Sequence, residues 1–475
     1  MRDTICAVST ANGEGGIAIV RLSGSRALEI FEKAFVPLKK RPTVSHTMVF
    51  GHAVDADGAY IDEAMGVFFA APATYTREDV CEIQCHGGGV CARRVLARLL
   101  ELGARAAEPG EFTRRAFLNG RIDLARAEAV MSLIGANSEA AARASVRQLE
   151  GGVSAFAKNC AERLENLLSL LAACTDFPDE VEESDAADTV RAECADLIAL
   201  LQKNCDRRSA RLIREGARIV LAGRPNVGKS SVMNALLGSE RAIVTEIAGT
   251  TRDVLTERIR LGGVIAEISD TAGQRLTEDP VEKIGVRRAE QAMETADVRV
   301  IVLDGSQPLT DEDGRLLKTA DARTVICVNK RDLEPAFPLS DVTGVICDMN
   351  DPASTLADAI VAKSGKNDPT FTLQNAVCVS CKTGEGIGDL LGILENRVKS
   401  ECSEDNLLVS ERHIALAERA ARSLESAVHA IDAGLALDVT ELDLRQALGA
   451  LCEITGENAS EEVIDRVFKN FCVGK

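Results

Sequence analysis

The chain has 475 residues, a formal net charge of −18 and only 3% aromatic residues, with no Trp. That length allows more than one domain, the charge argues against a broad, sequence-independent coat on nucleic acid, and the cores must be aliphatic. Fifteen cysteines invite disulfides, but Met1-Arg2-Asp3-Thr4 leads into no apolar leader, and no apolar run nears the ~20 residues of a membrane span. Reduced thiols and a cytoplasmic location are expected.

Residues 1–118 read as mixed α and β. Ile17–Leu22 and Ala64–Phe69 have strand character, and Gly88–Leu102 is helical. Gly13-Glu14-Gly15-Gly16 lacks the Lys and the following helix of a phosphate loop, so a hairpin or loop entry is expected. Cys81, Cys85 and Cys91 with His86, and Cys378 with Cys381, lack the second pair of a zinc site and read as small buried hydrophobes.

Residues 119–214 become helical. Leu124, Ala127, Met131 and Ile134 keep a three-and-four spacing, as do Leu164, Leu167, Leu168 and Leu171. Pro178 and the acidic group Asp179, Glu180, Glu182 and Glu183 end that run. Arg207, Arg208, Arg211 and Arg214 form a basic cluster that suits a solvated helix face better than RNA.

Residues 215–398 carry four short motifs, each closing a strand-like run. Gly223-Arg224-Pro225-Asn226-Val227-Gly228-Lys229-Ser230 follows Ile219–Ala222 and opens a helix. Its glycines bring backbone amides onto phosphates, Lys229 reaches the outer phosphates and the Ser230 hydroxyl suits magnesium. Asp270-Thr271-Ala272-Gly273 places a carboxylate for magnesium and an amide for the terminal phosphate. Asn329-Lys330-Arg331-Asp332 supplies a carboxylate that accepts two guanine-edge hydrogens, a pattern adenine does not offer. Ser380-Cys381-Lys382 forms the last base-contacting loop. Gly262-Gly263 marks a hairpin, and the remaining strands alternate with helices, as in a mainly parallel, doubly wound sheet. In order, these four motifs point to a guanine-nucleotide switch domain. Residues 399–475 are helical again, in Glu411–Ala433, Glu441–Glu453 and Ser460–Phe471, with no core of their own. They are expected to pack with the helices before the nucleotide domain, which is then an insertion.

Further stretches carry a family resemblance: Arg21-Leu22-Ser23-Gly24, Glu78-Asp79-Val80-Cys81-Glu82, His86-Gly87-Gly88, Pro109-Gly110-Glu111-Phe112-Thr113 and Phe117-Leu118-Asn119-Gly120. So do Asp176-Phe177-Pro178-Asp179-Glu180, Ile247-Ala248-Gly249-Thr250-Thr251-Arg252-Asp253 and Phe471-Cys472-Val473-Gly474-Lys475. Over nearly its whole length the chain resembles the bacterial tRNA-modification GTPase family called MnmE or TrmE. The resemblance implies a multidomain α/β plus all-α fold: an N-terminal α+β folate-binding and dimerisation domain, then a helical domain interrupted by a Ras-like P-loop GTPase. It implies a homodimer and an FAD-dependent partner of the MnmG (GidA) type in a heterotetramer. Together they modify carbon 5 of the wobble uridine (position 34) in certain tRNAs to the aminomethyl or carboxymethylaminomethyl form. A reduced folate, 5,10-methylene- or 5-formyl-tetrahydrofolate, supplies the one-carbon unit.

The same resemblance assigns residues. Arg21, Glu82, Arg121 and Lys475 contact the folate, Arg121 standing where the family usually has Lys. Cys472 is the family's near-terminal cysteine, a nucleophile, an acid or only a packing residue. Ser230 and Thr251 ligate magnesium, while Asn226 and the carbonyls of Thr245, Ile247 and Thr250 hold potassium. The GTP site then comprises Asn226, Val227, Gly228, Lys229, Ser230, Ser231, the switch residues Thr245, Glu246, Ile247, Ala248, Gly249, Thr250 and Thr251, and the later motif residues. Glu282 polarises the attacking water, preferred over Gln274, which occupies the position of the Ras-type glutamine. A ribosome-assembly GTPase and a folate-sensing switch are the rival readings. The first is disfavoured because no Gly-x-x-Gly RNA clamp follows the nucleotide domain and the GTPase motifs are not duplicated.

Overall fold

The computed structural model describes residues 3–11, 13–39, 43–177, 179, 182–238, 256–270, 292–338, 342, 376–402 and 406–474. They form two compact units, one made of Met1–Gly135, Ser145–Gln202 and Arg412–Lys475, the other of Ala136–Ala144 and Lys203–Glu411.

The first unit begins with β1 (Ile5–Val8), β2 (Ile17–Ser23), α1 (Ala27–Ala34), β3 (Phe35–Pro37), β4 (Thr47–Val54), β5 (Tyr60–Phe69), β6 (Val80–His86), α2 (Gly89–Glu101), β7 (Arg105–Ala106) and α3 (Glu111–Leu118). The strands form one sheet in the order β3-β4-β5-β6-β2-β1-β7, all neighbours antiparallel except β1 with β7. The Gly13–Gly16 stretch lies in the connection between antiparallel β1 and β2, as the hairpin reading expects. β1 escaped the sequence reading because it is only four residues long.

Strand alternation sorts the two faces of this sheet. Ala18, Val20 and Leu22 of β2 and Cys81, Ile83 and Cys85 of β6 point into the core under α1 and α2. Ala7, Arg21 and Glu82 are register partners across β1, β2 and β6, so they share the opposite face. There a smaller apolar group, Ile5, Ala7, Ala107 and Phe112, packs with Tyr75.

Next come α4 (Leu124–Ile134), α5 (Glu139–Glu150), α6 (Gly152–Asp176) and α7 (Glu183–Lys203). Asp123 caps α4 by accepting from the Arg126 amide. Leu164, Leu167 and Leu171 of α6 are buried at the predicted spacing, while Leu168 is only partly buried. On α4 the stripe fades toward its end, where Ile134 is exposed.

The second unit contains α8 (Arg207–Glu215), β8 (Ala217–Ala222), α9 (Lys229–Leu237), β9 (Thr256–Leu261), β10 (Val264–Asp270), β11 (Val298–Asp304), α10 (Asp311–Lys318), β12 (Thr324–Asn329), β13 (Ala376–Cys378) and α11 (Ile387–Glu401). Its sheet has the order β13-β12-β11-β8-β10-β9 and is parallel except for β9. Gly262 and Gly263 both take positive φ, as a tight β9–β10 turn requires. The unit reaches back to Lys203, earlier than residue 215, because Leu212 of α8 joins the core around Ile219 and Leu221. The basic face of α8 is partly solvated, with Arg207 and Arg208 exposed, and three of its arginines also make ion pairs. Arg208 meets Glu401 at 3.1 Å, Arg211 meets Asp297, and Arg214 meets Glu411 at 2.7 Å.

The chain returns to the first unit through α12 (Glu411–Asp432), α13 (Leu437–Thr455) and α14 (Glu461–Lys469). α13 packs along α6 and α4, and α14 packs on α3. The helices before and after the nucleotide unit therefore share one core, and the nucleotide unit is an insertion in sequence. Among the described residues, no helix is long and apolar enough to cross a membrane.

Candidate functional site

The nucleotide site lies where the parallel sheet changes winding direction, at the carboxyl ends of β8, β10, β11 and β12. After β8 the chain turns through Gly223, Asn226 and Gly228, all at positive φ. At Gly228 a Cβ would lie 2.3 Å from Asn329 Nδ2, so the tight approach of the two motifs demands glycine. The Lys229 ammonium donates to Gly223 O at 2.6 Å and Arg224 O at 3.0 Å, which ties the loop into a ring. Burial pulls its pKa below the ordinary lysine value. Arg224 is itself held by Asp313 at 3.0 Å, a carboxylate that also closes the capping box of α10 with Thr310. The sequence reading gave Arg224 and Asp313 no such role.

Ser230 Oγ donates to Asp270 Oδ2 at 2.7 Å. A hydroxyl and a carboxylate oxygen from two separate motifs thus meet beside the phosphate loop, and this hard oxygen pair fits magnesium. On the base side, Asn329 is buried and donates to Val227 O at 3.0 Å, locking the base loop to the phosphate loop. Lys330, at positive φ, pairs with Asp304 at 2.5 Å. Ser380 Oγ donates to Asp332 Oδ1 at 2.7 Å, which aims the carboxylate, and Lys382 lies 4.0 Å from Asp332. The Cys381 amide donates to Asn329 Oδ1 at 3.4 Å. Thr245, Glu246, Ile247, Ala248, Gly249, Thr250, Thr251, Thr271, Ala272, Gly273, Gln274 and Glu282 lie outside the described residues.

A second polar cluster sits on the lower face of the N-terminal sheet. Arg21 Nε donates to Glu82 Oε1 at 2.8 Å, as expected for a directly opposed cross-strand pair. The Arg21 guanidinium also lies 5.6 Å from the Tyr75 ring centroid and 5.8 Å from that of Phe112. Arg121 reaches the same Tyr75 ring at 4.7 Å. Three of the four proposed folate residues therefore converge. The fourth, Lys475, lies outside the described residues, but the residues before it are placed. Val473 bridges to Pro109, Cys472 O accepts from the Gly110 amide at 3.3 Å, and Gly474 O accepts from Ser9 Oγ at 3.0 Å. The chain end thus runs beside Val8–Ser9, next to the β1 residue that faces Arg21. Cys472 is exposed.

Beneath the cluster lies a support that sequence reasoning missed. Buried Arg115 meets Asp3 at 2.9 Å, Glu78 at 3.0 Å and Glu111 at 3.0 Å. Tyr75 also went unmarked, since a lone tyrosine in a connection carries no spacing signal. Cys81 and Cys85 are buried, and burial pushes both thiols up, Cys85 to about 11. No metal-binding cluster of His, Cys, Asp and Glu occurs among the described residues.

Comparison with known proteins covers the chain from its N-terminal domain to its C-terminal helices. The description "GTP-binding protein TrmE N-terminus" matches residues 4–121, and "MnmE helical domain" matches residues 124–472. Three similar relatives are each named tRNA modification GTPase MnmE. Those of Symbiobacterium thermophilum, Moorella thermoacetica and Geobacillus thermodenitrificans are 42%, 41% and 40% identical, over 100% of this chain and 99% of each relative. With both domain descriptions matched and identity this high from end to end, the chain belongs to the MnmE (TrmE) family of tRNA modification GTPases.

Proposed function

We propose that this chain is a potassium-dependent GTPase that works with a flavin-dependent partner to modify carbon 5 of the wobble uridine, drawing its one-carbon unit from a reduced folate. The observation that carries this reading is the Arg21–Glu82–Arg121 cluster beside the C-terminal residues. A nucleotide site alone would suit any guanine-nucleotide switch. A carboxylate and two guanidiniums around an aromatic ring suit the donor-rich pterin edge and the anionic tail of a folate.

In the nucleotide unit, Lys229 and the amides of the phosphate loop bind the outer phosphates, and Asp332 reads guanine. Ser230, and Asp270 through a water, would hold magnesium beside the outer phosphates. Asn226 is assigned to potassium together with carbonyls of Thr245, Ile247 and Thr250, and Thr251 completes the magnesium set. Glu282 orients the attacking water. Cys472, whose carbonyl accepts from the Gly110 amide, is assigned to the one-carbon chemistry.

The homodimer is assigned to the N-terminal sheet. Val36, Met48 and Phe50 of β3 and β4 are 46%, 46% and 43% exposed on one face, beside the stacked rings of His52 and Tyr60. A second copy covering them removes this apolar surface from water. Phe50→Glu is expected to give a monomer by light scattering.

The test of function is tRNA from a strain lacking this chain. Wobble-uridine modification is expected to vanish and to return with the wild-type gene. Unchanged modification would overturn the reading, and equal GTPase rates in potassium and sodium at matched ionic strength would remove the potassium assignment.

A further inference from the structure

Tyr75 lies in the connection between β5 and β6, and its half-buried ring is held by packing and by its hydroxyl. Its hydroxyl is 2.9 Å from Thr113 Oγ1, and its ring packs beside Ile5, Ala7, Ala107 and Phe112. The next residues are pinned as well. Thr76 Oγ1 is 2.7 Å from Ser23 Oγ, Asn119 Nδ2 donates to Thr76 O at 2.7 Å, and Arg77 donates to Asn119 O at 3.1 Å. Glu78 accepts from Ser23 at 2.8 Å and from Arg115 at 3.0 Å.

Two like charges gather at this one ring, Arg121 at 4.7 Å and Arg21 at 5.6 Å. Arg21 is compensated by Glu82. The exposed Arg121 makes no ion pair among the described residues, and its guanidinium lies over the Tyr75 ring. We propose that Tyr75 is the positioning residue of this site, holding Arg121 flat on its ring so that Arg121 and Arg21 face one ligand. The inference rests on the reading that the cluster binds a reduced folate.

The chemistry of the two cations explains why this matters. A planar guanidinium stacks on an aromatic face and keeps its outer N–H fork free for a carboxylate, whereas an ammonium is a point charge without that orientation. With Tyr75 beneath it, Arg121 is pre-aimed at the anionic tail of a folate while Glu82 takes the ring edge. The site thereby selects a ligand that carries both parts.

The test is calorimetric titration of the full-length protein with 5-formyl-tetrahydrofolate and with a reduced pterin lacking the glutamate tail. Tyr75→Phe keeps the ring and is expected to stay within about threefold of wild type, while Tyr75→Leu weakens the folate about tenfold and the tail-less pterin less. Arg121→Ala costs about tenfold alone and little on top of Tyr75→Leu, a non-additivity that a merely structural role does not produce. Tyr75→Gln keeps a hydrogen-bonding group for Thr113 without a ring, and must behave as Tyr75→Leu does. Circular dichroism checks that each variant is folded. Wild-type affinity in both ring-less variants, or additive losses, overturns the role of Tyr75 alone. Failure of the wild-type protein to bind the folate overturns the folate reading with it.

Discussion

The two candidate sites hold their polar groups by different means. In the nucleotide unit the backbone does the holding: Lys229 is tied to loop carbonyls, Asn329 to Val227 O, and positive-φ residues shape the turn. In the N-terminal sheet side chains do it: Arg21 leans on Glu82, Arg121 on Tyr75, and Tyr75 on Thr113. A site built from backbone has little slack, because moving one atom moves the chain. A site built from side chains degrades one contact at a time. Substitutions should therefore be all-or-none in the first and graded in the second.

Gly228→Ala is the sharpest way to break that contrast. The residue sits at φ 95°, and its new Cβ would lie 2.3 Å from the Asn329 amide, which is buried and hydrogen-bonded and so has nowhere to go. Loss of GTP binding by more than about a hundredfold is expected, since both loops shift together. A nucleotide titration followed by fluorescence measures it. A change below tenfold would show that the loop has slack after all.

A second test concerns acid. Glu128 of α4 meets His413 at 2.6 Å and Arg412 at 2.7 Å, and Arg412 also donates to Glu453 O and Ile454 O of α13. Burial by itself would raise the Glu128 carboxyl, but His413 and Arg412 outweigh it and hold the group down, to about 2. A depressed carboxyl contributes its full stability above the unfolded value of 4.5 and loses it as pH falls toward about 2. Denaturant unfolding of the first unit should weaken through that window. Glu128→Gln should cost roughly 3 kcal/mol at neutral pH, because it strands a buried cation, and should flatten the acid dependence.

How much of each site was legible follows from the same contrast. A phosphate loop is a local object, so Gly223–Ser230, Asp270, Asn329–Asp332 and Ser380 each announce themselves within a few residues and at a strand end. The mainly parallel winding and the β9–β10 hairpin follow from the same punctuation. The cluster on the N-terminal sheet joins Arg21, Tyr75, Glu82, Phe112, Arg121 and the chain end through sheet register and a returning helix. No spacing rule links such positions, so only the family resemblance named some of them. Tyr75 and Arg115 carry no such local sign, because their importance lies in what they touch.

Glu82→Gln tests the graded side. The amide still accepts from Arg21 Nε but carries no charge for a donor-rich ring edge. A charge-assisted hydrogen bond contributes about 1.5–3 kcal/mol, so folate affinity should fall roughly tenfold to a hundredfold without vanishing. Complete loss would mean that this cluster is as brittle as the phosphate loop.

The smallest effect is expected at Cys472. Its thiol is exposed, and what fixes the residue is its carbonyl, which accepts from the Gly110 amide. Cys472→Ser keeps that main-chain bond and should change unfolding free energy by less than about 0.5 kcal/mol. Gly474→Ala is the control. At φ 94°, with a new Cβ 2.3 Å from Val8 O, it must push the chain end off β1. If folate binding falls in Gly474→Ala and holds in Cys472→Ser, the chain end acts through where its backbone lies. A loss of tRNA modification confined to Cys472→Ser, with folate binding intact, would instead assign the thiol a chemical step.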